Sequence, residues 1–381
     1  MYRSLAGRLK SHFFNMKGWR TNRKIVVIES DDWGAIRMPS KRAFKNLQEA
    51  GMELHNSCYN RYDTLESRED MEMLFSLLGE YRDSKGNHPI MTFNTVMGNP
   101  DFEKIEESNF STYYHVHFRD SYKTYYGSDH FELWRSAIKR GIIKPQFHAR
   151  EHLNVSLWMQ ALQQNNHDAR LGFDNRFYGM KQTVTPSDDQ NHYLGAYWVV
   201  GEKDFKNKKK ILEDGLELFE KTFRFSSDSF VACNYILPRE LEYPLSECNV
   251  KYIQGQRGYL SPEISTGKKR INRIYTGKSN AYNQIFTVRN CLFEPSEDGK
   301  KDWINSCLND ISTSFFWKKP AIISSHRVNY IGVLDLKNRE RGLQSLDRLL
   351  KKILEFWPDV EFMSTDQLGR LIEGDIHVKV N

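Results

Sequence analysis

Short runs rich in β-branched and aromatic residues alternate along this chain with longer stretches of helical period, and that alternation constrains its fold more than any other feature. The runs are 24–30 (KIVVIES), 89–94 (PIMTFN), 114–118, 229–234, 250–254, 320–325 (PAIISS) and 360–364 (VEFMS). Helical periodicity falls at 67–81, 130–140, 156–164, 208–222, 302–312 and 339–356, the last with Leu343, Leu346, Leu349, Leu350, Ile353 and Leu354 on one apolar stripe. Strands alternating with helices predict an α/β protein with a mostly parallel sheet or barrel, because each helix returns the chain to the same end of the sheet. A chain of 381 residues is long enough for one such barrel.

The polar residues fall at the ends of these runs. Asp31 and Asp32 follow the first, Asn94 ends the second, His326 follows the PAIISS run, and Thr365 and Asp366 follow the last. Barrels of this class gather their active sites at the C-terminal ends of their strands. Two adjacent carboxylates at a strand end can divide labour: one binds a cation while the other, kept ionised by that charge, acts as general base. Adjacent aspartates in a strand-to-helix turn also cap backbone amides, so that reading stays open. His148 and His152 are four apart. On a helical turn that spacing puts both imidazoles on one face, close enough to share a metal, although paired histidines on a surface show the same spacing. His115 and His117 alternate on a predicted strand and share a face. Arg289, Asn290 and Glu294 form a polar cluster just before Asp302, read as substrate-binding or as a structural ion pair.

The ordered set resembles the polysaccharide deacetylases, metal-dependent carbohydrate esterases that remove N-acetyl groups from sugars. Ser30-Asp31-Asp32-Trp33-Gly34 is similar to their first motif, and His148 with His152 to their second. Asp302-Trp303 is similar to their Asp-Trp motif, and Ile322-Ile323-Ser324-Ser325-His326 to their final strand and histidine. The matches run in the family's order from Lys24 to about Ile372. The resemblance implies a single-domain, distorted (β/α)7-type barrel over 24–381, preceded by a basic arm over 1–23 and carrying an inserted helical segment near 41–88. It implies Asp32, His148 and His152 as metal ligands, with zinc the first choice among divalent ions. It further implies Asp31 as general base, His326 as general acid, Asp302 as the partner of His326, and Trp303 as a wall of the acyl pocket. Trp33, Asn94, Asn234, Arg289, Glu294 and Arg327 join Trp303 as expected substrate contacts. Two features depart from the family: Trp33 intervenes between the Asp pair and Gly34, and the mid-chain Arg-Pro motif is missing. That motif belongs near 230–235, which reads FVACNY, and Arg37, Arg150 and Arg327 are candidates to replace its arginine.

Two other readings compete. His148–His152 also fits H-x-x-E-H, an inverted zinc-peptidase motif with Glu151 as base and Glu217 or Glu220 as third ligand. A catalytically inactive carbohydrate-binding protein is the other; aromatic residues, 13% of the chain, could serve it as sugar platforms. The formal net charge of +6 is concentrated in Arg3, Arg8, Lys10, Lys17, Arg20, Arg23 and Lys24, an arm suited to peripheral contact with a membrane surface. No nucleic-acid-binding signature accompanies it. Five scattered cysteines without C-x-x-C spacing read as structural and fit a reducing compartment. With no apolar signal or spanning segment, the expectation is a cytoplasmic enzyme acting on an N-acetylated saccharide or glycoconjugate.

Overall fold

The structure is a computed structural model describing residues 12–180, 193–199, 201–266 and 268–380. Its centre is a parallel sheet of β1 (Ile25–Trp33), β2 (Met91–Val96), β3 (Ile143–Ala149), β4 (Ser229–Val231), β5 (Tyr252–Gly255), β6 (Ile285–Val288), β7 (Cys291–Leu292), β8 (Ala321–His326) and β9 (Glu361–Met363). The strand order is β6-β5-β4-β3-β2-β1-β8-β7, and β9 pairs with the first three residues of β1. The sheet curls into a half barrel within one α/β domain, in keeping with the mostly parallel α/β arrangement that the alternation predicts and the distorted barrel that the resemblance implies.

β1 lies at the middle of this sheet and all nine of its residues are buried. Side chains alternate across a strand, so its two faces meet different partners. Val26 and Ile28 pack with Met71, Leu74 and Phe93, while Ile25 and Val27 pack with Leu368 and Ile372 of the C-terminal helix Thr365–Val380. A strand covered on both faces reads as a continuous apolar run, as KIVVIES does.

Three strands of this sheet lie outside the predicted runs. β3 reads IKPQFHA, and Pro145 offers no donor to a ladder. The strand accommodates it because β4 joins β3 only at Phe147↔Phe230, beyond the proline. β6 and β7 are four and two residues long, too short to show a period. Conversely, the predicted run 114–118 contributes His115–His117 to a separate antiparallel ribbon with Gly98–Pro100.

Between β1 and β2 lie the helices Lys41–Glu49, Cys58–Tyr62 and Arg68–Glu80. Arg327, fully buried just after β8, ties this segment down through Asp63 at 3.1 Å and Glu66 at 2.8 Å. Arg327 is therefore a structural strut and not the substrate contact expected of it. Part of the N-terminal arm, residues 1–11, lies outside the described residues. At its end Arg23 pairs with Glu361, and the neighbouring Lys24 pairs with Asp359, at 2.6 and 2.7 Å. Among the described residues no helix is long and apolar enough to cross a membrane.

Candidate active site

The pairing of β1 with β2 slips between Ser30 and Trp33, a bulge that re-aims the two residues inside it. Those residues are Asp31 and Asp32. Asp32 takes a left-handed φ of 75°, uncommon for any residue but glycine, and Gly34 follows at 85°. A side chain at Gly34 would meet the Val96 carbonyl at 2.5 Å, so the turn closes only with glycine there. The bulge sends the two carboxylates to different surroundings.

Asp31 enters a saturated network. Arg289, from the end of β6, grips it with two hydrogen bonds of 2.7 Å, and Asn94 Nδ2 donates a third at 2.7 Å. Arg289 also donates to Glu29 at 2.6 Å and Tyr235 at 2.8 Å. Gln254 and Asn94 exchange reciprocal amide bonds of 2.8 Å, which fixes the Asn94 orientation. Burial opposes the Asp31 charge, but the guanidinium outweighs it and holds the carboxyl well below the usual carboxylate range. Arg289 and Asn94 thus position Asp31; expected as substrate contacts, they are buried and committed to the carboxylate. The arginine that contacts Asp31 is Arg289, whereas Arg37 pairs with Asp63, Arg150 with Glu151, and Arg327 with Asp63 and Glu66.

Asp32 faces two imidazoles. Its Oδ1 lies 3.5 Å from His148 Nε2 and 3.3 Å from His152 Nε2. These separations exceed the roughly 2.7–2.9 Å of a charge-assisted hydrogen bond. They match the ~3.4 Å edge between nitrogen and oxygen donors arranged tetrahedrally around one zinc ion. His148 Nδ1 donates to the Val231 carbonyl at 2.7 Å, which leaves Nε2 with its lone pair free to bind a cation. His148 sits on β3 and His152 in the loop after it, not on the helical turn expected from their spacing. A third side chain joins the imidazoles: Cys233 Sγ lies 3.8 Å from His148 Nε2, and ligand atoms of Cys233, His148 and His152 fall within 4.8 Å of one another. Burial would raise the Cys233 pKa, but the two histidines bring it down to about 7.

His326, at the end of β8, stands 3.7 Å from Asp31 through Nε2, while its Nδ1 donates to Glu294 at 2.6 Å. Asn329 holds the other Glu294 oxygen at 2.7 Å. Burial lowers the imidazole's pKa and Glu294 more than restores it, pushing it up to about 9. Glu294 therefore fills the role expected of Asp302. Asp302 instead caps the helix Trp303–Phe316, accepting from the Asn305 backbone at 3.0 Å. Trp303 is buried with its indole donating to the Asp298 carbonyl, and Trp33 is buried in a stack on Phe93 at 3.7 Å. Both belong to the packing, not to a substrate surface.

A cavity of about 380 Å³ opens above these groups, lined by Asp31, Asp32, His148, His152 and His326 together with Arg37, Tyr59, Asn234 and Tyr235. Asn234 alone among the expected substrate contacts lies on its wall. Gln254, Tyr59, Tyr235 and Cys233 were missed as site residues. Gln254 carried a usable signal, since it ends a predicted strand with a polar side chain just as Asn94 does. The peptidase arrangement lacks its parts here: Glu151 pairs with Arg150 at 2.6 Å, and Glu217 and Glu220 lie exposed on the helix Gly201–Phe223.

No family model and no curated protein matches the sequence. Among solved structures, the chain is similar to a protein of Mycobacterium smegmatis assigned as a polysaccharide deacetylase, at 11% identity and a TM-score of 0.44 over 94% of this chain and 93% of that one. It is also similar to an allantoinase, at 10% identity and a TM-score of 0.43 over 92% and 91% of the two chains. A GH57-type branching enzyme of Pyrococcus horikoshii gives 11% identity and a TM-score of 0.43, over 91% of this chain and 70% of that one. Likeness this remote spans proteins named for different reactions, so the chemistry of the site has to come from its own side chains.

Proposed function

We propose that this chain is a metal-dependent hydrolase that removes an N-acetyl group from a saccharide or glycoconjugate. One observation carries the reaction class: a single strand end presents two carboxylates in opposite roles, with a protonated imidazole across the cavity. The substrate class rests on the motif order of Asp31-Asp32, His148–His152 and His326.

Asp32, His148 and His152 would hold a divalent cation, and their donor spacing and the His148 tautomer fit it. When bound, such an ion supplies Lewis acidity and lowers the pKa of water towards about 7. Asp31, ionised and immobilised by Arg289 and Asn94, accepts the proton of the attacking water. The strong Arg289 pairing lowers the basicity of Asp31 but keeps the acceptor oriented and ready. His326, charged at neutral pH through Glu294, gives its proton to the amine as the carbon–nitrogen bond breaks. Acetic acid, which ionises in solution, and the free amino sugar leave, and return of the proton from Asp31 to His326 resets the site.

The test is turnover of N-acetylated oligosaccharides, with bound metal measured alongside. Asp31→Asn should lose roughly 10²–10⁴ in kcat while keeping its metal, and Asp32→Ala should lose both. Undiminished turnover in Asp31→Asn would remove the general-base assignment. Binding without turnover in the wild type would favour the carbohydrate-binding reading instead.

A further inference from the structure

Cys233 lies where the resemblance led us to expect an arginine motif, in a turn just after β4. Its side chain is fully buried and belongs to the apolar core, yet its sulfur also lies beside the imidazoles of His148 and His152. Its sulfur reaches His148 Nε2, the same ring nitrogen that faces Asp32 Oδ1. The 3.8 Å separation is close to the ~3.6 Å edge between a nitrogen and a sulfur donor around one zinc ion. Packing alone requires no such convergence on a nitrogen whose other ring atom is already bonded to the Val231 carbonyl. The turn is also held in an unusual conformation: Asn234 and Tyr235 both have left-handed φ angles, 55° and 54°. His152, buried in the same cluster, has no hydrogen-bond partner for Nδ1 among the described residues.

We propose that Cys233 is a fourth protein ligand to the metal, so that the donor set is Asp32, His148, His152 and Cys233. This deepens the hydrolase reading and rests on it for the other three ligands. On binding, the thiol releases its proton to solvent and the sulfur coordinates as thiolate. A soft thiolate added to two imidazoles and a carboxylate favours zinc or cobalt over magnesium and manganese, which prefer oxygen donors.

The experiment is cobalt(II) substitution of the full chain, read by absorption spectroscopy without any substrate. The expected result is a thiolate-to-cobalt charge-transfer band in the near ultraviolet beside the visible d–d bands. Cys233→Ser should lose the charge-transfer band and keep the d–d bands, while Cys291→Ser should keep both. Visible bands without the charge-transfer band in the wild type would overturn the cysteine ligand and leave the three-ligand site standing. A charge-transfer band that survives in Cys233→Ser would also overturn it. If the wild type binds no cobalt at all, the metal site and the cysteine ligand fall together. Should Cys233→Ser fail to fold, the wild-type spectrum alone still decides whether a thiolate is bound.

Discussion

Asp31 and Asp32 are neighbours in sequence, equally buried and chemically identical, yet the two sides of the cleft they serve are built on opposite plans. Around Asp31, Arg289 and Asn94 place hydrogen bonds of 2.7 Å on both carboxylate oxygens. Around Asp32, the nearest ring nitrogens stop at 3.3 and 3.5 Å, too far to satisfy one another and well placed to share a cation. The first side is complete as protein; the second sets two imidazoles beside one carboxylate oxygen. A one-residue bulge separates the two because successive side chains of a strand leave on different faces. The lesson is that role is set by which element arrives opposite: β6 brings a cation, and β3 brings lone pairs.

Arg289→Gln is the sharpest way to break the contrast. It leaves the buried Glu29 and Asp31 carboxylates without their cation, at a cost of about 3–5 kcal/mol. Asp31's folded pKa is depressed, so its pairing contributes stability above the unfolded value of about 3.9 and loses it as pH falls through the folded value. In the variant that contribution disappears, and the acid limb of activity should move to higher pH. Urea unfolding and a pH–rate profile check both expectations, and an unchanged profile would show that Arg289 does not tune Asp31.

Glu294→Gln should act on the opposite limb with less damage. His326 has a raised folded pKa of about 9, so its charge and the stability it confers are present below about 6.5 and lost as pH rises through about 9. Removing the carboxylate takes away the strongest influence that raises the imidazole while Asp31 and Asp32 stay in place, so the alkaline limb should move from about 9 to lower pH. A limb that stays in place would dissociate His326 from proton donation.

The parts of the site legible in the sequence are those where one residue carries the signal. KIVVIES ending in two aspartates, and PAIISS ending in a histidine, are apolar runs stopped by polar groups, and the sheet places both ends at one rim. β3 was not legible because Pro145, Lys144 and Gln146 dilute its apolar pattern, and its strand state depends on the β2 ladder beside it. Without that strand, only a helical turn gives a reason for His148 and His152 to share a face. Arg289 stays open between substrate contact and ion pair in the sequence because a four-residue strand gives no period, and the structure shows the ion pair, with Asp31 and Glu29. Cys233 gives no functional signal in the sequence because a single cysteine looks alike whether its neighbours are leucines or imidazoles.

Asp302 shows how a motif in the right order can still mislead, and it supplies the smallest predicted effect. An aspartate followed by a helix is a capping signature as much as a catalytic one, and Asp302 accepts from the Asn305 backbone as an N-cap does. Asp302→Ala should therefore cost about 1 kcal/mol of stability and leave the alkaline limb where it is, because Glu294 holds His326 without its help. Asp302→Asn, which preserves the capping oxygen, should recover most of that stability. If Asp302→Ala instead moved the alkaline limb as far as Glu294→Gln does, His326 would depend on Asp302 after all. The motif would then be catalytic at a distance the static arrangement does not reveal. The cap and the proton relay thus predict the same direction in stability and different outcomes in pH dependence, which makes the pH profile the deciding measurement.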